Sequence, residues 1–93
     1  MTLSFSQKDF KELVVLYNNG QLEKALVKAK NLIRNNPNDP LIYNILGGIN
    51  LGLGNLEESV KNYSEVLKFR LDDAEAYNNL GIVLRNLGRI KEA

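Results

Sequence analysis

The side chains that most often carry out chemistry in proteins are scarce in this sequence. It contains no His and no Cys, so it lacks the commonest general base, the usual imidazole and thiolate metal ligands, and any thiol nucleophile or disulfide. Two pairs of neighbouring carboxylates remain, Glu57 with Glu58 and Asp72 with Asp73. Each pair lies at the start of a predicted helix, where negative charge is favourable. The sequence therefore predicts no catalytic residue, no metal site and no cofactor.

A glycine-rich run over residues 47–54 could instead cradle a phosphate group. Such phosphate loops need a preceding strand, and a P-loop also needs Lys followed by Ser or Thr after the glycines. Neither condition is met. Two of the glycines, Gly48 and Gly52, cost about 1 kcal/mol each in a helix interior. Two interpretations stay open: they leave room for a partner's bulky side chain, or they are tolerated in a weak helix.

The charge balance disfavours nucleic acid and membranes as partners. The 12 basic and 11 acidic residues give a net charge of +1, whereas phosphate backbones and anionic membranes attract strongly basic surfaces. Lys24, Lys28, Lys30 and Arg34 form a basic stripe that we interpret as a solvated outer face. No segment approaches the roughly 18 apolar residues of a spanning helix, and the first residues do not resemble a signal peptide. The predicted location is the cytoplasm.

Three glycines recur along the chain at an interval of 34 residues: Gly20, Gly54 and Gly88. The same register relates residues upstream of the second and third glycines: Tyr43 and Tyr77, Asn44 and Asn78, Leu46 and Leu80, Gly47 and Gly81. Several residue types that recur in one register indicate an internal repeat.

Each repeat is predicted to be a helix, a short turn and a second helix, because its apolar residues follow the 3.6-residue period. Asp39 is suited to cap a helix that begins at Pro40, and Asn55 with Glu58 is typical of a capping box. Helices are predicted over residues 6–19, 22–35, 40–53, 56–70 and 74–87, and a sixth helix is predicted to begin near Arg89.

These residues resemble the 34-residue unit of tetratricopeptide repeat (TPR) proteins. That unit has a large aromatic residue, Leu-Gly three residues later, Gly at the turn, a small residue in the second helix and an aromatic after it. The second copy matches it at Tyr43, Leu46, Gly47, Gly54, Ser59 and Tyr63, and the third at Tyr77, Leu80, Gly81, Gly88 and Ala93. In the degenerate first copy, Asp9 and Leu13 replace the aromatic and the glycine, which predicts a looser N-terminal cap.

The resemblance implies an all-α fold, an α-solenoid of antiparallel helix pairs forming a TPR superhelix of about 2.5 repeats. A single domain is expected, with repeats over residues 6–39 and 40–73 and a partial repeat over 74–93. The family's close helix packing implies that Gly47 and Ser59 let two helices approach, while Tyr63 fills the adjacent space.

In this family the first helices of the repeats line a concave groove that binds a peptide or a partner segment. The resemblance places these residues in the groove: Phe10, Lys11, Tyr17, Asn44, Gly48, Leu51, Asn78, Asn79, Ile82 and Arg85. The three asparagines are the most suggestive, since an amide can donate and accept hydrogen bonds with a peptide backbone. A general abundance of Asn in this chain is the alternative explanation. The implied function is a protein–protein interaction module that is not an enzyme.

Two alternatives concern the end of the chain, where a sixth helix of a few residues would not be stable alone. The apolar residues Leu80, Leu84, Leu87 and Ile90 would then be left partly uncovered. Either the chain is the N-terminal piece of a longer repeat protein, or this face pairs with a second copy in a homo-oligomer. If the chain is the N-terminal piece of a longer protein, the alternative function is that of the recognition part of a larger TPR-containing enzyme, such as a glycosyltransferase or sulfotransferase.

Overall fold

The computed structural model describes residues 7–92, which form five α-helices and no strand. The helices are α1 (Gln7–Asn18), α2 (Leu22–Asn35), α3 (Pro40–Gly52), α4 (Leu56–Phe69) and α5 (Ala74–Glu92). Each helix packs against the next one along the chain, and α1 also touches α3. The result is the predicted solenoid, an elongated stack of 49 × 29 × 18 Å. The predicted helix start at Ser6 and the repeat position at Ala93 lie outside the described residues.

Capping side chains explain where two of the helices begin. The carboxylate of Asp39 accepts a hydrogen bond from the Leu41 N–H at 2.9 Å, with Pro40 at the first helical position. Asp73 accepts from the Ala76 N–H at 3.0 Å. Each bond satisfies an amide that has no partner within its own helix, so the predicted cap at Asp39 is confirmed.

The predicted capping box at Asn55 is wrong, because its side chain is used elsewhere. Asn55 Nδ2 donates to Oδ1 of Asn50 at 3.2 Å, and Asn50 Nδ2 donates to Oδ1 of Asn62 at 2.7 Å. Asn50 is buried, so these bonds supply the partners that a buried amide requires. This amide chain joins α3 to α4 across the turn, and α4 begins without a side-chain cap.

Two of the repeating glycines form turns, and the third does not. Gly20 and Gly54 have φ angles of 75° and 81°, a left-handed conformation that favours glycine and ends α1 and α3. Gly88 has no positive φ, and α5 continues through it to Glu92. The predicted sixth helix is therefore wrong. A continuous α5 keeps the backbone hydrogen bonds that a turn at Gly88 would break.

The core consists of two clusters of buried side chains along the stack. The first joins α1, α2 and α3: Leu13, Ala25, Ala29, Leu32, Ile42, Leu46 and Ile49. The second joins α4 and α5 through Leu56, Tyr63 and Val83. Leu13, at the position where later copies have glycine, is fully buried. The first helix thus fills the core with its own side chain where the second repeat brings α3 and α4 into close contact at Gly47.

At Gly47, α3 lies in close contact with two residues of α4. Ser59 Oγ donates to the Gly47 carbonyl oxygen at 2.7 Å. The ring of Tyr63 lies against Gly47, where an added Cβ would stand only 2.6 Å from the ring carbon Cζ. The small residues therefore permit close packing and the aromatic ring fills the space beside them, as the resemblance implied.

Candidate partner-binding groove

The predicted groove residues lie on α1, α3 and α5, and none of them is fully buried. The exposed residues are Lys11, Asn78 and Arg85; the half-buried ones are Phe10, Tyr17, Asn44, Gly48, Leu51, Asn79 and Ile82. The helical period sets Asn44 and Gly48 on one side of α3, and Asn78, Ile82 and Arg85 on the matching side of α5. Side chains at these positions are thus left accessible by the helix packing.

The space above the two additional glycines of α3 is already occupied. An added Cβ at Gly48 would collide with the Tyr17 hydroxyl and lie 2.9 Å from the Tyr17 ring carbon Cζ. At Gly52 it would stand 2.6 Å from Cδ1 of Leu22. The expectation that these glycines leave room for a partner's side chain is wrong, because side chains of the first repeat fill that room. Both glycines serve contacts between repeats.

Leu51 belongs to the packing as well as to the predicted groove. It lies against the second core cluster, beside Leu56, Tyr63 and Val83. Truncation of Leu51 would therefore disturb the fold.

The asparagines at the predicted groove positions differ from those that the fold uses internally. Asn36 and Asn50 are buried, and their side chains are hydrogen-bonded inside the fold. The side chains of Asn44, Asn78 and Asn79 make no hydrogen bond with any residue in the described range 7–92. Their amides are therefore available to a partner. Asn44 and Asn78 correspond in the 34-residue register. Asn38 and Asn86 also make no side-chain hydrogen bond within residues 7–92, so a general abundance of Asn stays the alternative explanation.

The charged side chains divide into those that hold the helices together and those that do not. Lys28 Nζ bonds Glu12 at 2.7 Å and Asp9 at 3.1 Å, which ties α2 to α1. These hydrogen bonds, with Glu12 contributing most, raise the pKa of Lys28. Lys11 and Arg85 form no ion pair within the described part of the chain. These two groove cations are free to meet acidic groups.

The basic stripe on α2 is largely a solvated face, as predicted. Lys24, Lys30 and Arg34 are exposed, whereas Lys28 is drawn into the ion pairs with α1. The sequence did not predict that Asp9, which stands where the other repeats have an aromatic residue, would become one of the acids that bind Lys28. The first repeat thus replaces an aromatic contact with an electrostatic one.

Tyr63 connects the core to the groove helices. Burial raises its pKa to about 12, and the nearby Tyr17 and Glu75 act in the same direction. Its ring is only 4% exposed, so it is held in one place by α3 and α4. The ring therefore helps to fix the distance between α3 and α4.

The predicted apolar face at the end of the chain is not one surface. Leu80 and Leu87 pack against the second core cluster, because they lie on the side of α5 that faces α4. Leu84 is 50% exposed, and Ile90 lies separately beside the first turn of α4. Tyr77 is also half exposed, although it was not predicted to belong to this face. Its shared register with Tyr43 is the sequence feature that could have indicated it.

Two kinds of site are absent from the described residues. Within residues 7–92, no group of three or more His, Cys, Asp or Glu side chains could hold a metal ion. None of the described helices combines the length and the apolar character that a membrane crossing requires.

Comparisons with known proteins agree with this geometry. A tetratricopeptide repeat model matches residues 10–69, and a second TPR repeat model matches residues 51–88. The chain is also similar to the peroxisomal targeting signal receptor of Saccharomyces cerevisiae, with 29% identity over 80 residues. That match covers 86% of this chain but only 13% of the receptor. The chain belongs to the tetratricopeptide repeat family and forms a protein-interaction module.

Proposed function

We propose that the concave face of α1, α3 and α5 binds an extended segment of a partner protein. The observation that supports this most directly is the set of unbonded amides at Asn44, Asn78 and Asn79. An amide can donate to a carbonyl and accept from an N–H, so such side chains suit the backbone of an extended peptide. The half-buried Ile82 adds apolar surface beside them.

The two groove cations would select and orient the partner. Lys11 on α1 and Arg85 on α5 are exposed and form no ion pair within residues 7–92. Acidic groups on the partner segment would meet them at the two outer helices of the groove. Because these cations are exposed, they are expected to speed association and to fix the register more than to add affinity.

The relative supports a short peptide as the class of partner. By its name, the yeast protein is a receptor for a targeting signal. This chain spans 13% of that receptor's length, so the identity of the signal does not transfer with the similarity. We expect the partner of this chain to be a peptide segment of a protein, met in the cytoplasm, and neither a nucleic acid nor a membrane.

Replacement of all three groove asparagines by Ala tests the proposal. Peptides would be selected on the unmodified protein from a random display library, and their dissociation constants measured by fluorescence anisotropy. A hydrogen bond contributes about 0.5–1.5 kcal/mol, and about 1.4 kcal/mol is a factor of ten in affinity. The triple variant should therefore bind at least tenfold more weakly, with little change in melting temperature.

A matched variant controls for the loss of amides in general. Asn31, Asn35 and Asn38 are exposed and lie outside the groove. Their replacement by Ala should leave the affinity for the selected peptides unchanged. Equal affinities for the groove variant and the unmodified protein would contradict the proposal, as would an equal loss in both variants.

A further inference from the structure

Two tyrosine side chains meet at the glycine pair in the middle of α3. The Tyr63 ring lies against Gly47, where an added Cβ would stand 2.6 Å from Cζ. The Tyr17 hydroxyl fills the space above Gly48. Tyr17 belongs to α1 and Tyr63 to α4, so two different helices bring a phenol group to the same turn of α3.

The fold uses the two rings but not their hydroxyl groups. Neither Tyr17 Oη nor Tyr63 Oη makes a hydrogen bond with a residue in the range 7–92. In that range, Oδ1 of Asn36 is the one buried side-chain nitrogen or oxygen without a partner. The two hydroxyls, which also lack partners, are therefore accessible to solvent. Since Tyr63 as a whole is only 4% exposed, packing holds its ring and leaves the hydroxyl end open.

A carboxylate lies on the groove side of α5. Glu75 stands three and four positions before Asn78 and Asn79, so the helical period places it in line with these groove residues. Glu75 is exposed and forms no ion pair within residues 7–92. Arg85 follows ten positions later, about 15 Å along the helix. The negative charge of Glu75 is therefore not neutralised by the cation of its own helix.

The electrostatics of Tyr63 connect these three groups. Burial is the main cause of its raised pKa of about 12, and Tyr17 and Glu75 raise it further. Tyr17 lies on α1 and Glu75 on α5, both of which are groove helices. The hydroxyl of Tyr63 thus faces the groove, although its helix, α4, lies behind α3 and α5.

We propose that Tyr17, Tyr63 and Glu75 form a cation subsite in the groove, which binds a Lys or Arg side chain of the partner segment. It rests on the groove function proposed for this chain and adds the charge of one partner residue. Ammonium and guanidinium groups carry only hydrogen-bond donors, whereas hydroxyl oxygens and a carboxylate can all accept. The carboxylate selects positive charge, and the two hydroxyls set the position of the bound group.

The cation subsite makes the charge pattern of the partner more specific. Lys11 and Arg85 favour acidic groups, whereas Glu75 repels them. A segment that is acidic throughout would bring like charges together at Glu75, which counts against such a partner. The partner segment therefore carries a basic residue in addition to its acidic ones.

Peptides from a random display library selected on the unmodified protein test this pattern. The selected set should share Lys or Arg at one position. The tightest-binding member, with that basic residue replaced by Gln, should bind about fivefold more weakly in fluorescence anisotropy at low ionic strength. Absence of a shared basic position would overturn the inference.

An exchange of charge between protein and peptide locates the subsite. Glu75→Lys should bind the basic peptide about tenfold more weakly, and should bind it well again when the basic residue is replaced by Glu. Glu57→Lys is the matched control, because Glu57 is also exposed in the first turn of its helix but lies on α4, outside the groove. Equal losses in the two variants would show a general charge effect and overturn the inference.

Removal of the hydroxyls tests the other half of the subsite. Tyr17→Phe and Tyr63→Phe keep the rings that pack on α3. Each should weaken binding of the basic peptide about threefold, and neither should affect the Gln peptide. Equal losses for the two peptides would contradict a hydrogen bond to the basic residue.

The triple groove variant separates this inference from the groove function on which it rests. If that variant loses affinity while Glu75→Lys does not, the role of the asparagines stands and the cation subsite is wrong. If the charge exchange at Glu75 succeeds while the triple variant binds normally, the cation subsite stands and the role of the asparagines is wrong.

Discussion

At the scale of single residues, Gly47 and Gly81 are the same position of two repeats in different surroundings. An added Cβ at Gly47 would stand 2.6–2.8 Å from three atoms of the buried Tyr63 ring. Gly47→Ala should therefore destabilise the protein by about 1–3 kcal/mol through overpacking. Gly81→Ala meets open space and should stabilise it by about 0.5–1 kcal/mol, since Ala favours a helix. Urea denaturation of both variants measures the difference.

Gly48→Ala is the internal control for that comparison. Its Cβ would also collide with a ring, but Tyr17 is half-buried and its hydroxyl end can swing toward solvent. The cost of that movement is partly offset by the gain in helix propensity. Gly48→Ala should thus change stability less than Gly47→Ala does. Equal losses at the two positions would show that the burial of Tyr63 is not the cause.

The raised pKa of Tyr63 predicts how the stability of the protein changes at alkaline pH. Burial raises its pKa to about 12 from the ordinary value of 10.0, so the folded protein holds this proton more tightly than the unfolded chain. Its contribution is therefore complete below pH 10.0 and is lost as the pH rises toward about 12. A pKa unit corresponds to about 1.4 kcal/mol, which gives a loss of about 2–3 kcal/mol at the end of that range.

Tyr63→Phe isolates this effect from other groups that lose protons at high pH. Lys28 and Tyr43 also have raised pKa values, the former through its bonds to Glu12 and Asp9 and the latter through burial. Both remain in the variant, so their contributions cancel in the difference. The free energy of unfolding of the unmodified protein, from urea titrations, should fall relative to that of Tyr63→Phe as the pH rises from about 9 to about 11.5. Parallel curves would contradict the assignment.

At the scale of helices, the glycine at the end of the first helix of a repeat has two roles. Gly54 forms a turn with φ of 81°, where a side chain is strained, whereas Gly88 lies inside α5. Gly54→Ala should destabilise the protein by about 1–2 kcal/mol. Gly88→Ala, whose Cβ would meet nothing within 4 Å, should stabilise it by about 0.5–1 kcal/mol. Thermal unfolding followed by circular dichroism measures both changes.

The sign of the stability change caused by Gly88→Ala shows whether the chain around residue 88 is helical or forms a turn. If Gly88→Ala stabilises the protein, α5 is continuous, because Ala would be strained in a left-handed turn. A destabilising Ala of the size seen at Gly54 would show that the segment bends in solution. Sequence alone could not separate the two cases, since the spacing of Gly20, Gly54 and Gly88 is the same. The outcome at Gly88 depends on whether a following helix is present to pack.

At the scale of the whole molecule, the sequence determines the fold better than it determines the surfaces. The repeat interval and the apolar period predicted the five helices, because these features are local and periodic, but they also predicted a turn at Gly88 and a sixth helix where α5 continues. The occupancy of the space at Gly48 by Tyr17 and the ion pairs of Lys28 were not predicted. Both depend on contacts between residues far apart in the chain. The resemblance predicted the groove residues. Only the packed structure shows which of their polar side chains make no hydrogen bond or ion pair within residues 7–92.

The arrangement of helices predicts a gradient of local stability along the stack. In a solenoid each helix is stabilised by its neighbours, and α3 contacts α1, α2 and α4, whereas α5 packs on α4. The backbone amides of Ile42, Leu46 and Ile49, fully or nearly buried on α3, should therefore exchange with deuterium most slowly. Amides of α5 beyond Leu84 should exchange fastest among the helical ones, because α5 packs on α4 whereas α3 packs on three helices. Uniform exchange across all five helices would instead show one cooperative unit.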